Sequence, residues 1–120
     1  MLLKPNGRDK SVMPNVTLYV EAKHMPSAAK RDEISRACIE LCTRLLKAAL
    51  KNVHIIYVDV QHGHGHPVFV EVQYRLETFR TPQVMNEFME ALDTAIERCT
   101  GLTARIRCFG YASTNIYARN

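Results

Sequence analysis

Histidine stands at every second position in His62-Gly63-His64-Gly65-His66, a spacing that puts three imidazoles on one side of an extended chain. Neutral imidazole nitrogens in such a trio bind zinc or nickel. The run holds no Asp, Glu or Cys to complete a tetrahedral set, and its glycines leave the geometry loose. The expectation is no resident metal, no cofactor, and a loop that lines a substrate pocket. The cysteines offer less: Cys38, Cys42, Cys99 and Cys108 include no C-x-x-C pair, so neither zinc nor redox chemistry is expected of them. Cys38 and Cys42 fall four apart inside an apolar stripe, as small buried hydrophobes do.

Sixteen Lys and Arg against twelve Asp and Glu give a net charge of +4 over 120 residues. That mild excess suits a small anionic substrate and lacks the dense basic stripe of a nucleic-acid surface. With 47% hydrophobic and 23% charged residues, the chain reads as one domain able to fold without disulfides or metal. No run approaches the ~18 apolar residues of a membrane span, and Met1 to Lys10 has no signal-peptide core. A cytoplasmic protein with reduced cysteines and no membrane partner is expected.

These groups must be positioned by regular elements. Residues 1–12 are polar and basic around a Pro5-Asn6-Gly7 turn and read as a leader, with the domain over 13–120. Val16, Leu18 and Val20 alternate as one face of a first strand. Ile34, Cys38, Leu41, Cys42, Leu45 and Ala49 recur at helical spacing, predicting a helix over 27–51 that Asn52 ends in left-handed geometry. A β-branched strand follows over 53–60, then the histidine loop, then a strand over 68–74 alternating at Val68, Val70 and Val72. Thr81-Pro82 is an N-cap with proline at the first helical position, and Gly101 closes that helix. A fourth strand runs over 102–110. The fold class is α+β: βαββαβ, a duplicated strand-helix-strand unit forming a four-stranded sheet with two helices on one face. The uncovered face is expected to carry Val, Leu and Ile and to be covered by self-association.

Met13-Pro14-Asn15-Val16-Thr17-Leu18-Tyr19-Val20 resembles the opening of tautomerase superfamily proteins, which begin Met-Pro followed directly by the first strand. The resemblance extends over most of the chain and implies a homotrimer of duplicated βαβ units acting on a small enol or α-keto carboxylate. It assigns Pro14 as general base once methionine is removed. A free secondary amine has a usable lone pair, whereas a proline acylated by Met13 is a tertiary amide and has none. Either translation starts at Met13, or the leader is native and proline catalysis is impossible. Arg75 and Arg80 resemble the paired arginines that hold the substrate carboxylate in cis-3-chloroacrylic acid dehalogenases. Arg105 and Arg107 share a strand face and, in a trimer, would reach a neighbour's site. Cys108-Phe109-Gly110-Tyr111 is similar to that family's Tyr-Phe-Gly-Glu, with Tyr111 in place of the water-activating glutamate. Hydrolytic dehalogenation is therefore not implied, and Tyr111 remains as a phenolic donor to an enolate.

Plainer roles stand beside these: Pro14 starting an edge strand, the four arginines as a solvated cationic edge, Tyr111 as packing. A catalytically inactive binding or assembly protein of the same fold is the alternative function. The βαββαβ order also describes ferredoxin-like RNA-binding modules. Against these stand a sequence with only Tyr19 and Phe69 in roughly suitable places for base stacking and a first helix that is long for such a module.

Overall fold

Alternation decides the first strand. The computed structural model describes residues 13–120, and the leader expected over 1–12 lies outside the described residues. In β1 (Asn15–Glu21) Val16, Leu18 and Val20 are buried and the residues between them half-buried, the period-two pattern of a strand covered on one face. In β3 (Val68–Arg75) Val68, Val70 and Val72 repeat it. The two strands pair antiparallel, Val16 with Val72, Leu18 with Val70 and Val20 with Val68, which joins both buried rows into one apolar surface. β2 (His54–Val60) and β4 (Ala104–Tyr111) lie outside them, each parallel to the first strand of its own unit, in the order β2-β1-β3-β4.

Two helices cover that surface. α1 (Ala28–Arg44) is capped by Ser27, whose Oγ accepts from the Lys30 N–H at 3.2 Å, and buries Ile34, Cys38, Leu41 and Cys42. It ends well before the expected Lys51. Its 17 residues rise about 25 Å and a seven-residue strand such as β1 spans about 23 Å, so the helix already crosses the sheet. The chain then turns at Lys47, left-handed at φ 57°, and not at Asn52, which belongs to a short 3₁₀ turn over Leu50–Asn52. The Leu46 carbonyl, which a longer helix would give to residue 50, accepts instead from Arg80 Nε at 2.9 Å. α2 (Pro82–Thr100) follows its sequence signals: Thr81 Oγ1 accepts from the Val84 N–H at 3.2 Å. Gly101 closes it at φ 75°, its N–H donating to the Glu97 carbonyl at 2.7 Å. Phe88, Leu92 and Ile96 fill the space between α2 and the sheet.

The architecture is thus the expected α+β βαββαβ sheet with its helices on one face. The strand order rules out the ferredoxin-like alternative. In that split βαβ arrangement another strand separates the two strands of a unit, whereas here β1 lies beside β2 and β3 beside β4. The valines and Leu18 of β1 and β3 all lie under the helices, so the open face differs from expectation. Aliphatic side chains reach it only from β2, as Ile56, Val58 and Val60; Tyr19, Phe69 and Phe109 alternate there with Glu71, Arg105 and Arg107. Among the described residues no helix is long and apolar enough to cross a membrane.

All four cysteines are free. Cys38 and Cys42 are fully buried, and a hydrogen bond between them together with burial pushes the Cys38 thiol up. Burial pushes the Cys108 thiol up to about 11.

Two outcomes follow from this packing. Phe88→Ala should cost about 3–5 kcal/mol in urea denaturation, since the fully buried ring has no room to be replaced by collapse. Because the unfolded chain gives up the Cys108 proton first, the Cys108 contribution should fall as pH climbs from about 9 to about 11. Comparing urea midpoints of the wild type and Cys108→Ala across that range checks the sign.

Candidate active site

The start of β1 is set by the sheet. Pro14 is buried and its carbonyl accepts from the His54 N–H at 3.1 Å, extending the β1–β2 ladder back by one residue. Met13 then emerges into a cavity of about 300 Å³, at the small end of the range for ligand sites. β3 delivers Arg75 to its wall, the loop after β3 delivers Glu77, Phe79 and Arg80, and the turn after α1 delivers Lys47 and Asn52.

The arginines are held differently. Arg75 pairs with Glu77, and both side chains are largely buried. Arg80 donates from Nε to the Leu46 carbonyl at 2.9 Å and from Nη1 to the Arg75 carbonyl at 2.6 Å, with its guanidinium 5.3 Å from the Phe79 ring centroid. Burial lowers its pKa, Glu77 acts against that, and Arg75 adds to it. A guanidinium stripped of part of its water next to a second one is stabilised by any anion that enters. With Lys47 also on the wall, the three cations exceed the single Glu77 carboxylate by two charges, which fits a carboxylate ligand.

Tyr111 lies at this end of the sheet as the register partner of Arg75, its carbonyl accepting from the Leu76 N–H at 2.8 Å. Arg105 and Arg107 do not join the group within one chain. Arg105 pairs with Phe69, which pairs with Tyr19, five residues beyond Pro14 and so about 17 Å along the strand. Arg107 pairs with Glu71, opposite Thr17.

The histidine loop is at the wrong end to line this cavity. β2 runs parallel to β1 and β3 antiparallel to it, so the β2–β3 link lies where β1 finishes and Pro14 lies where it starts. There His62, His64 and His66 line a separate opening of about 510 Å³ with Tyr19, Phe69 and Arg105. His62 Nε2 lies 2.8 Å from the Gly65 carbonyl. Among the described residues no group of three His, Cys, Asp or Glu is placed to hold a metal ion.

Sequence reading missed Lys47, Asn52, Glu77 and Phe79. Phe79 beside Arg80, and Glu77 two residues from Arg75, are local signals for the stacked and paired guanidinium groups. Nothing local marks Lys47 or Asn52, which reach the cavity only because α1 stops early.

Neither a protein-family model nor a curated protein matches the sequence. Solved structures do match in shape. A macrophage migration inhibitory factor-like protein from Entamoeba histolytica superimposes at a TM-score of 0.70 with 10% identity, covering 88% of this chain and 95% of its own. A protein inactivated by 2-oxo-3-pentynoate gives 0.73 with 18% identity over 87% and 90%. A fused 4-OT wild-type symmetric trimer gives 0.71 with 16% identity over 89% and 93%. The chain therefore has the fold of the tautomerase superfamily.

Arg80→Met should cost about 1–3 kcal/mol in urea denaturation, because it leaves two partly buried carbonyls, of Leu46 and Arg75, without their donors. Arg80→Lys should recover less than half of that loss, since an ammonium cannot serve both carbonyls in the geometry of the fork.

Proposed function

We propose that residues 13–120 form a tautomerase-type domain that, when translation starts at Met13 and its removal leaves Pro14 N-terminal, interconverts the enol and keto forms of a small carboxylate; where residues 1–12 are kept as a leader, that chemistry is closed to it. Support comes chiefly from the cavity that puts Arg75, Arg80 and Lys47 around the residue acylating Pro14. The carboxylate sits on Arg75 and Arg80. The freed secondary amine of Pro14 takes the enol O–H proton and returns a proton to carbon 3, so the carbonyl forms with no net loss or gain of atoms. Tyr111 donates to the enolate oxygen. The working unit is a homotrimer built on the open sheet face, and any part for Arg105 and Arg107 is to contact a neighbour's ligand. No nucleic-acid or membrane partner enters this reading, and its setting is the cytoplasm.

A second reading rests on Met13 itself. While Met13 acylates Pro14 the nitrogen has no lone pair to use, yet the cationic cavity is present. In that form the chain is a non-catalytic binding or assembly protein for the same class of anion.

The protein made to begin at Pro14 should convert phenylenolpyruvate to its keto form, followed by ultraviolet absorbance, and Pro14→Ala should lower the rate about 10²–10⁴-fold. A rate that persists in Pro14→Ala sinks the mechanism. Activity in the chain that keeps Met13 would show that another group is the base. The neighbour's inactivator, 2-oxo-3-pentynoate, should add to Pro14 in the processed form alone, read by intact mass. Sedimentation should give three chains; a stable monomer at micromolar concentration would overturn the assembly.

A further inference from the structure

Asn52 is a buried polar residue that the folding logic does not use. It is 9% exposed, its backbone N–H donates to the Ala49 carbonyl at 2.9 Å, and its side-chain amide has no hydrogen-bond partner among the described residues. A buried amide left unmatched is costly, so its persistence calls for a partner that the described residues do not supply. Its location says where that partner comes from. Asn52 lines the arginine cavity and also the adjoining opening of about 500 Å³ between the start of β2 and the C-terminal tail, and Met13 borders both. It is the one uncharged amide among the residues that surround the arginine cavity.

We propose that the Asn52 side chain is the group that recognises the oxygen on carbon 2 of the bound carboxylate, and so selects 2-oxo and 2-hydroxy-enoic acids over plain carboxylic acids. Arg75 and Arg80 take the carboxylate, as proposed above, and this assignment rests on that reading. Carboxylate and carbon-2 oxygen are adjacent in the ligand, and Asn52 shares the wall of one small cavity with both arginines. An amide suits the task because it presents a donor to a ketone or enolate and an acceptor to an enol hydroxyl. A pocket that hydrogen-bonds a ligand oxygen rejects the analogue lacking it, since the amide is then left buried and unpaired.

The test compares two ligands with one carbon skeleton, phenylpyruvate and 3-phenylpropionate, binding to the full chain by titration calorimetry. The wild type should bind phenylpyruvate at least tenfold more tightly. In Asn52→Leu and Asn52→Ala the two ligands should bind within about twofold of each other. Asn52→Leu should also keep or raise the urea midpoint, because an apolar side chain of similar size removes the unmatched amide. A lowered midpoint with selectivity intact would make Asn52 a structural residue and overturn the assignment. Equal binding of both ligands by the wild type would overturn it while sparing the carboxylate site. Binding of neither ligand would overturn both.

Discussion

The antiparallel pairing of β1 with β3 is the contact on which the other parts depend. Val16, Leu18 and Val20 against Val72, Val70 and Val68 give a six-residue apolar patch with nowhere to go but under the helices. Side chains alternate with a period of two, so a slip of one residue would turn the whole row out to solvent and bring Thr17, Tyr19 and Phe69 inside. The register is therefore strongly specified. With it fixed, each unit adds its second strand on its own outer flank, and the ends of the sheet are decided. The starts of β1 and β2 and the end of β3 meet at one edge, with Pro14, His54 and Arg75; the histidine loop falls at the other.

At the Pro14 edge the structure spends polar contacts on holding charge in place. Arg80 joins the turn after α1, through the Leu46 carbonyl, to the end of β3, through the Arg75 carbonyl. One side chain thus ties two segments that are distant in sequence, the end of β3 with its loop and the turn after α1, and its partial burial lowers its own pKa. Such a guanidinium is preorganised: its side chain is already ordered before a ligand arrives, so less conformational entropy is lost on binding. Glu77 offsets part of the charge at Arg75. The excess of cations that remains is a property of the cavity and would be invisible in a net charge of +4 spread over the chain.

What the sequence could and could not reveal follows from the range of the forces involved. The strands and α2 were legible because alternation, the Thr81-Pro82 cap and Gly101 are local signals, and the structure returns them within a residue or two. The end of α1 was not. Leu45 and Ala49 continue its apolar period, and what stops the helix is the span of the sheet and the claim of Arg80 on the Leu46 carbonyl, neither written in the neighbouring residues. Arg75 and Arg80 were singled out by resemblance alone, and Asn52 was missed because burial without a partner is a tertiary fact. The place of the histidine loop was legible in principle: in a βαββαβ sheet with parallel units, the β2–β3 link cannot lie beside the start of β1. The fold itself survives at 10–18% identity to solved structures, consistent with a pattern of buried positions being kept while their residue types drift.

The chemistry proposed for that edge turns on one covalent bond. With Met13 attached, the Pro14 nitrogen is a tertiary amide whose lone pair is delocalised into the carbonyl, and no arrangement of neighbours makes it a base. Without Met13 it becomes a secondary amine beside a cavity whose wall carries Arg75, Arg80 and Lys47. In the reaction proposed above, positive charge on that wall would favour the unprotonated amine. The cations that hold a carboxylate would then also tune the base, and a carboxylate bound between them would raise its proton affinity again by partly neutralising that charge. Binding and basicity would be coupled in such a site, the carboxylate that the cations hold raising the affinity of the amine for the proton it is to take.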